Sequence, residues 1–216
     1  MIQFPAINRA SLWYFLVVLT AVSFTWSERL SSVGVILLIA HWLLDSNLMN
    51  KISSFWSRLA TSRLQLITIL LWSFFLLHVL GLLWSQQMVE GWQSIEVKLT
   101  FMILPVLFST ENYLDAKKTA TIFLIFSISC CLSFFYALGY SYFHYHAKGW
   151  SVVTQRMNIS EGIMHPGYYS NYFAYALVWC MFEVSSNKKT GIYKRGLLAV
   201  LILILVTALL LSLIHI

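Results

Sequence analysis

"LQLITILLWSFFLLHVLGLLW", Leu64 to Trp84, runs for 21 residues without a charged side chain. Coiled as an α-helix rising about 1.5 Å per residue, it reaches roughly 30 Å, the thickness of the hydrocarbon core of a bilayer. A helix apolar on every side is solvated by other apolar matter, so this stretch reads as a transmembrane span. The rest of the chain agrees. Of its 216 residues 59% are hydrophobic and 10% charged, with a mean hydropathy of +0.75. Soluble domains carry about 25% charged residues, so a water-facing globule is excluded.

Working outward, six further apolar runs lie at about 11–27, 31–45, 95–110, 120–143, 167–185 and from 197 to the end. The expected fold is all-α: a polytopic transmembrane helix bundle of about seven spans, forming a single transmembrane domain over residues 1–216. The first run resembles a secretory signal peptide, but no Ala-x-Ala-like cleavage site follows it and further spans do, so it reads as retained. The second and fourth runs are short and lean on flanking residues, with Lys98 snorkelling from the outer end of the fourth. Pro105 within that span predicts a kink whose freed carbonyl a neighbouring helix must satisfy.

Two connections read as interfacial amphipathic helices. In "SNLMNKISSFWSRLATSR", Leu48, Ile52, Phe55 and Leu59 recur at helical spacing, with Lys51 and Arg58 among the polar residues. In "SQQMVEGWQSIEVK", Met88, Trp92 and Ile95 do the same on the other side and continue into the fourth span through Leu99.

Positive charge sets the expected orientation. With a cytoplasmic N-terminus, the inner side holds Arg9, Lys51, Arg58, Arg63, Lys117, Lys118, Lys188, Lys189, Lys194 and Arg195. The outer side holds Arg29, Lys98, Lys148 and Arg156. Ten against four places the N-terminus inside. The net charge of +6 is parcelled among short loops, which argues against nucleic acid as a partner. Cys130, Cys131 and Cys180 lie in apolar runs and read as small apolar fillers, with neither disulfide nor metal spacing.

On this topology the loop "HYHAKGWSVVTQRMNISEGIMHPGYYS", His144 to Ser170, faces outward and carries Arg156, Glu161 and three histidines, His144, His146 and His165. His-x-His without a completing carboxylate or Cys is a weak zinc signal, so no metal is expected. Pro166 suits the first position of a helix, where its missing N–H costs nothing. "HPGYYSNYF" therefore reads as the outer start of the sixth span, with first-turn N–H groups and the positive end of the helix dipole available to phosphate. Arg156 would add a permanently charged bidentate clamp. His165 would donate a hydrogen bond or move a proton, and Tyr168, Tyr169 and Tyr172 offer faces and hydroxyls suited to sugar rings. Each has a plainer reading: Arg156 facing lipid phosphates, His165 as a helix cap, the tyrosines as an aromatic belt. His41 and His78 read as polar tethers between helices. Glu183 reads as a snorkelling residue at the inner end of its span.

Two segments carry a resemblance. "LLHVLGLLWSQQMVEGWQSIEVKLTFMILPVLF", Leu76 to Phe108, and "RMNISEGIMHPGYYSNYFAYAL", Arg156 to Leu177, resemble bacterial O-antigen ligase and O-antigen polymerase-like membrane proteins. They match, respectively, a Gly-Leu-x-x-Ser exit leading through an amphipathic segment to a Leu-Pro span, and a His-Pro segment opening a later span. The resemblance implies a glycosyltransferase of the bacterial inner membrane that needs no metal or other cofactor. It would transfer a glycan from undecaprenyl diphosphate to lipid A-core at the periplasmic face; a polymerase would transfer it to a second lipid-linked glycan. Beside that resemblance, the residues themselves offer Arg156, Pro166, Gly167, Tyr168 and Tyr169 as donor-diphosphate and sugar contacts and His165, which with Pro166 shapes the helix start, as the catalytic candidate, with membrane lipids as surroundings. Members of that family have further spans and a large outer loop with catalytic His and Arg, so the chain reads as an N-terminal fragment. "LSLIHI", 211–216, resembles translated sequencing adapter. The rival reading is a transporter or flippase subunit, which calls for paired interrupted spans or membrane-buried charge. A purely structural subunit would leave the outer loop unexplained. Single-cysteine labelling of intact cells with an impermeant reagent tests the sidedness: a cysteine at 156 is expected to react and one at 188 to stay silent, and the reverse pattern refutes the orientation.

Overall fold

The computed structural model describes residues 8–45, 47–59, 64–85, 98–111, 113–145, 166–186 and 191–213, with isolated positions at 88, 91, 92 and 95. All the regular structure there is helical. The helices are α1 (Arg9–Ser23), α2 (Glu28–Leu43), α3 (Leu48–Leu59), α4 (Leu64–Gly81, prolonged by a 3-10 turn over Leu82–Trp84), α5 (Thr100–Thr110), α6 (Ala116–Tyr145), α7 (Pro166–Ser186) and α8 (Ile192–Leu213). Every apolar run singled out in the sequence contains one of them, and so does the first amphipathic connection. Three helical stretches are long and apolar enough to cross a membrane: Gln65–Trp84, Ala116–Phe143 and Ile192–Leu211. A fourth is obtained if Arg29–Leu43 and Leu48–Ser57, bent by 100°, form one broken span. The chain is thus a helical membrane-type protein.

Caps and corners follow from short polar side chains. Asn8 accepts a hydrogen bond from Ala10 N (3.0 Å) and starts α1. Asp115 accepts from Lys118 N (2.6 Å) and starts α6. Asp45 accepts from Asn47 N (2.9 Å) and shapes the corner between α2 and α3.

Two compact units divide the chain, residues 1–38 with 115–216, and 39–114. In the first, α7 packs along α6 and α8, and α6 also meets α1 and α8. The core seam runs through Cys130, Cys131, Phe134 and Ala137 of α6, Tyr169, Phe173, Ala176 and Cys180 of α7, and Leu198, Leu201, Leu205 and Ala208 of α8. Spacings of three and four place each set on one helix face. Ala and Cys at the seam let the backbones approach, which is how helices associate when the surrounding lipid is as apolar as they are. Hydroxyls add specific ties. Trp26 Nε1 donates to Ser129 Oγ at 2.9 Å, and Thr25 Oγ1 lies 2.6 Å from the same oxygen. Thr25 gives its own proton to Val22 O (2.8 Å), so Ser129 is the donor to Thr25. Gly34 of α2 meets Thr20 of α1 so closely that a Cβ there would stand 2.6 Å from Thr20 Oγ1 and 3.1 Å from its Cα.

In the second unit α3, α4 and α5 pack against one another. Phe55, buried, and Trp56 of α3 form an aromatic group with Trp72 of α4, the ring centroids lying 5.5–6.1 Å apart. Pro105 sits inside α5. A neighbouring helix was expected to serve the carbonyl that Pro105 frees; α4 reaches this helix through Trp72, whose Nε1 donates to Met102 O at 3.1 Å. The carbonyl that loses its partner to proline is that of Phe101; the one Trp72 serves is the next along.

The tight approach at Gly34 yields a prediction. Gly34→Leu should destabilise the first unit by about 1–3 kcal/mol, the usual cost of overpacking. Steric-trapping or thermal unfolding in nanodiscs checks it; unaltered stability would refute the close α1–α2 contact.

Candidate functional site

The expected donor site divides between what the structure describes and what it does not. Arg156 and His165 lie outside the described residues. The helix they were expected to adjoin is present: α7 begins at Pro166 and runs 21 residues. Proline fixes φ near the helical value and removes an N–H that has no intrahelical acceptor, so the chain starts a helix there at little cost. Gly167 and Tyr168 follow in its first turn. The N–H groups of that turn have no intrahelical acceptors and carry the positive end of the dipole.

Tyr169 is placed differently from a sugar-stacking residue. It is 7% exposed and packs into the core seam, its ring 5.4 Å from that of Phe173. Its hydroxyl is buried and forms no hydrogen bond within 3.5 Å among the described residues. Ser133 of α6, a polar neighbour of that hydroxyl, donates to Cys130 O at 2.9 Å. Ser141, also on α6, holds a second buried hydroxyl without a hydrogen-bond partner among the described residues. Tyr172 is half-buried, 5.8 Å from Phe24 and 6.2 Å from Phe126 by ring centroids. Of the tyrosines proposed as a stacking surface, Tyr169 and Tyr172 therefore brace α7 against its neighbours.

A polar cluster that the sequence did not announce lies in the second unit. Lys51 Nζ stands 2.5 Å from Asp45 Oδ2 and 2.6 Å from Glu111 Oε1, and 5.8 Å from the centre of the Tyr113 ring. The Lys51, Asp45 and Glu111 side chains are 15%, 7% and 2% exposed. Glu111 closes the C-terminal end of α5, where a carboxylate opposes the helix dipole, and the ammonium offsets that cost. Trp42 Nε1 donates to Thr110 Oγ1 at 2.8 Å beside it. Burial pulls the Lys51 pKa down, but hydrogen bonds and charge from Asp45 and Glu111 outweigh it and hold the group above its ordinary 10.5.

Two further polar expectations, His78 and Glu183, resolve locally. His78 Nδ1 contacts Phe74 O at 2.8 Å, and its ring lies 4.4 Å from that of Phe74, so it is tied to its own helix rather than to another. Glu183 is buried and paired with Lys194 Nζ at 2.6 Å, joining α7 to α8; it does not reach out to the interface alone. His78 also lines a cavity of about 270 Å³ with Leu77, Gly81, Leu82, Ser85, Gly91 and Ile95. Among the described residues no three His, Cys, Asp or Glu side chains converge to hold a metal.

No protein-family model, curated protein or solved structure matches the chain.

The cluster around Lys51 gives a prediction with a defined pH sign. A lysine whose folded pKa is raised contributes fully below the unfolded value near 10.5 and loses its contribution as pH rises through the folded value. Lys51→Met should lower stability by about 1–3 kcal/mol at pH 7, the worth of a charged hydrogen bond left unmade. The gap from wild type should narrow at strongly alkaline pH. Thermal melts in nanodiscs at the two pH values check both statements, and a variant as stable as wild type at pH 7 refutes the first.

Proposed function

We propose that the chain belongs to a membrane glycosyltransferase of the O-antigen ligase type, which moves a glycan from undecaprenyl diphosphate to lipid A-core at the periplasmic face of the bacterial inner membrane. The reading that goes with it has about seven spans, a cytoplasmic N-terminus and the loop before α7 outside. The observation that carries it is the start of α7 at Pro166, directly after His165. That start leaves a set of N–H groups without intrahelical acceptors, and Arg156 precedes it in the sequence. An acceptor hydroxyl oxygen attacks the anomeric carbon, the bond from that carbon to the diphosphate oxygen breaks, and the hydroxyl proton passes to a general base, while His165 with Pro166 shapes the helix start. The departing diphosphate gathers charge, which Arg156 and the amides of Pro166's successors, Gly167 and Tyr168, stabilise without moving. Tyr169 serves this chemistry from beneath, fixing the first turn of α7 to the core. The same geometry serves a polymerase, whose acceptor is a second lipid-linked glycan.

A transporter or flippase subunit draws support from one feature, the Asp45–Lys51–Glu111 cluster beside the 100° bend. Buried charge at an interrupted helix is what ion-coupled carriers need. Here, however, the cluster joins helix ends, Asp45 following α2 and Glu111 following α5, rather than mid-helix positions. That placement suits a fixed brace better than a moving site.

The test is restoration of surface glycan by the complete reading frame of the gene in a ligase-deficient strain. Arg156→Ala is expected to reduce transfer by about 10²–10³-fold, the scale of a lost charge-stabilising contact, with insertion into the membrane unchanged. Transfer at the wild-type rate would refute Arg156 as a donor contact.

A further inference from the structure

The cavity at the C-terminal end of α4 has a chemistry of its own, independent of the residues proposed for glycan transfer. Leu77, Leu82 and Ile95 give it apolar walls, and Gly81 and Gly91 give it depth. The contact at Gly91 is close, since a Cβ there would come within 2.3 Å of Leu82 Cδ2. At Gly81 a Cβ would meet nothing within 4 Å, so the space beside that residue is open. Leu77 and Leu83 are 65% and 71% exposed, which continues the apolar lining onto the exposed surface of α4 and the 3-10 turn that prolongs it.

Two polar residues, His78 and Ser85, line the same space. A carbonyl oxygen only accepts, so the 2.8 Å contact with Phe74 O places the proton of a neutral His78 on Nδ1. Nε2 is left with its lone pair and accepts. The ring is held in place by that bond and by Phe74, 4.4 Å away. His78 is half-buried, so a ligand that fills the space beside it takes Nε2 out of water; an apolar ligand would leave that acceptor unmatched, and one with a hydroxyl would satisfy it. We infer that this cavity binds one hydrocarbon chain of a membrane amphiphile whose polar end carries a hydroxyl, with His78 accepting from that hydroxyl and Ser85 beside it. A volume of about 270 Å³ suits a single chain segment and excludes a whole two-chain lipid.

The experiment uses the full chain in nanodiscs, with a diazirine-bearing hexadecanol and the matching diazirine alkane as photolabels, and peptide mapping of residues 77–95. The alcohol is expected to label this segment saturably, in competition with unlabelled hexadecanol, and more strongly than the alkane. Gly81→Leu, which fills open space, should cut alcohol labelling at least tenfold. His78→Phe should cut it about fivefold, the worth of one hydrogen bond, while leaving alkane labelling unchanged. Because Gly81→Leu could also lose signal by unfolding, the alcohol-to-alkane ratio in His78→Phe decides independently. Labelling that does not saturate, or a ratio unchanged in His78→Phe, marks ordinary lipid contact and overturns the inference.

Discussion

Inside a bilayer there is no water to meet a peptide N–H or C=O, and every other feature of this chain answers to that constraint. Helices satisfy it internally, which accounts for the helical run in each apolar stretch. The hydroxyl side chains obey the same rule. Thr20, Ser127 and Thr207 each turn back to a carbonyl of the preceding turn, at 2.7–2.9 Å, and so hide their polarity within the helix. Only where helices touch do such groups reach across, as at Ser129, which accepts from Trp26 and donates to Thr25.

With lipid as solvent, burial alone gives helices little reason to meet, so packing must come from fit. The first unit obtains it from small residues at the α6–α7–α8 seam and from Gly34 against Thr20. The second obtains it from larger contacts, the Phe55–Trp56–Trp72 group and the ion cluster at Lys51. The proposed reaction depends on the first of these. A helix start can hold a developing charge only if it does not move, and Tyr169 and Phe173, bound into the seam, fix the opening turns of α7.

The segments of the bundle were legible because length and hydropathy are one-dimensional properties. The amphipathic α3 was legible for the same reason: Leu48, Ile52, Phe55 and Leu59 declare a face whatever lies opposite. Pro105 announced that a donor must come from elsewhere, but that Trp72 supplies it, and to Met102 rather than Phe101, depends on the register of two helices. Lys51 counted as a loop charge because its carboxylates lie six and sixty residues away, and no local pattern joins them. His78 was expected to reach another helix and instead found Phe74 O, four residues back, an acceptor available in any helix. Of the proposed transfer site, the helix start at Pro166 was legible in the sequence. The inward orientation of Tyr169 was not, since a tyrosine near a helix end has the same spelling whether it faces lipid or core.

The three thiols carry a last consequence. Cys130, Cys131 and Cys180 are all buried in the seam, and Cys130 and Cys180 approach Tyr172 O (3.9 Å) and Ser127 Oγ (3.7 Å). A thiol so enclosed is chemically silent until its wall opens. The pace at which a small alkylating agent consumes these cysteines is therefore a clock for the parting of α6, α7 and α8, built into the native chain and read without introducing any reporter.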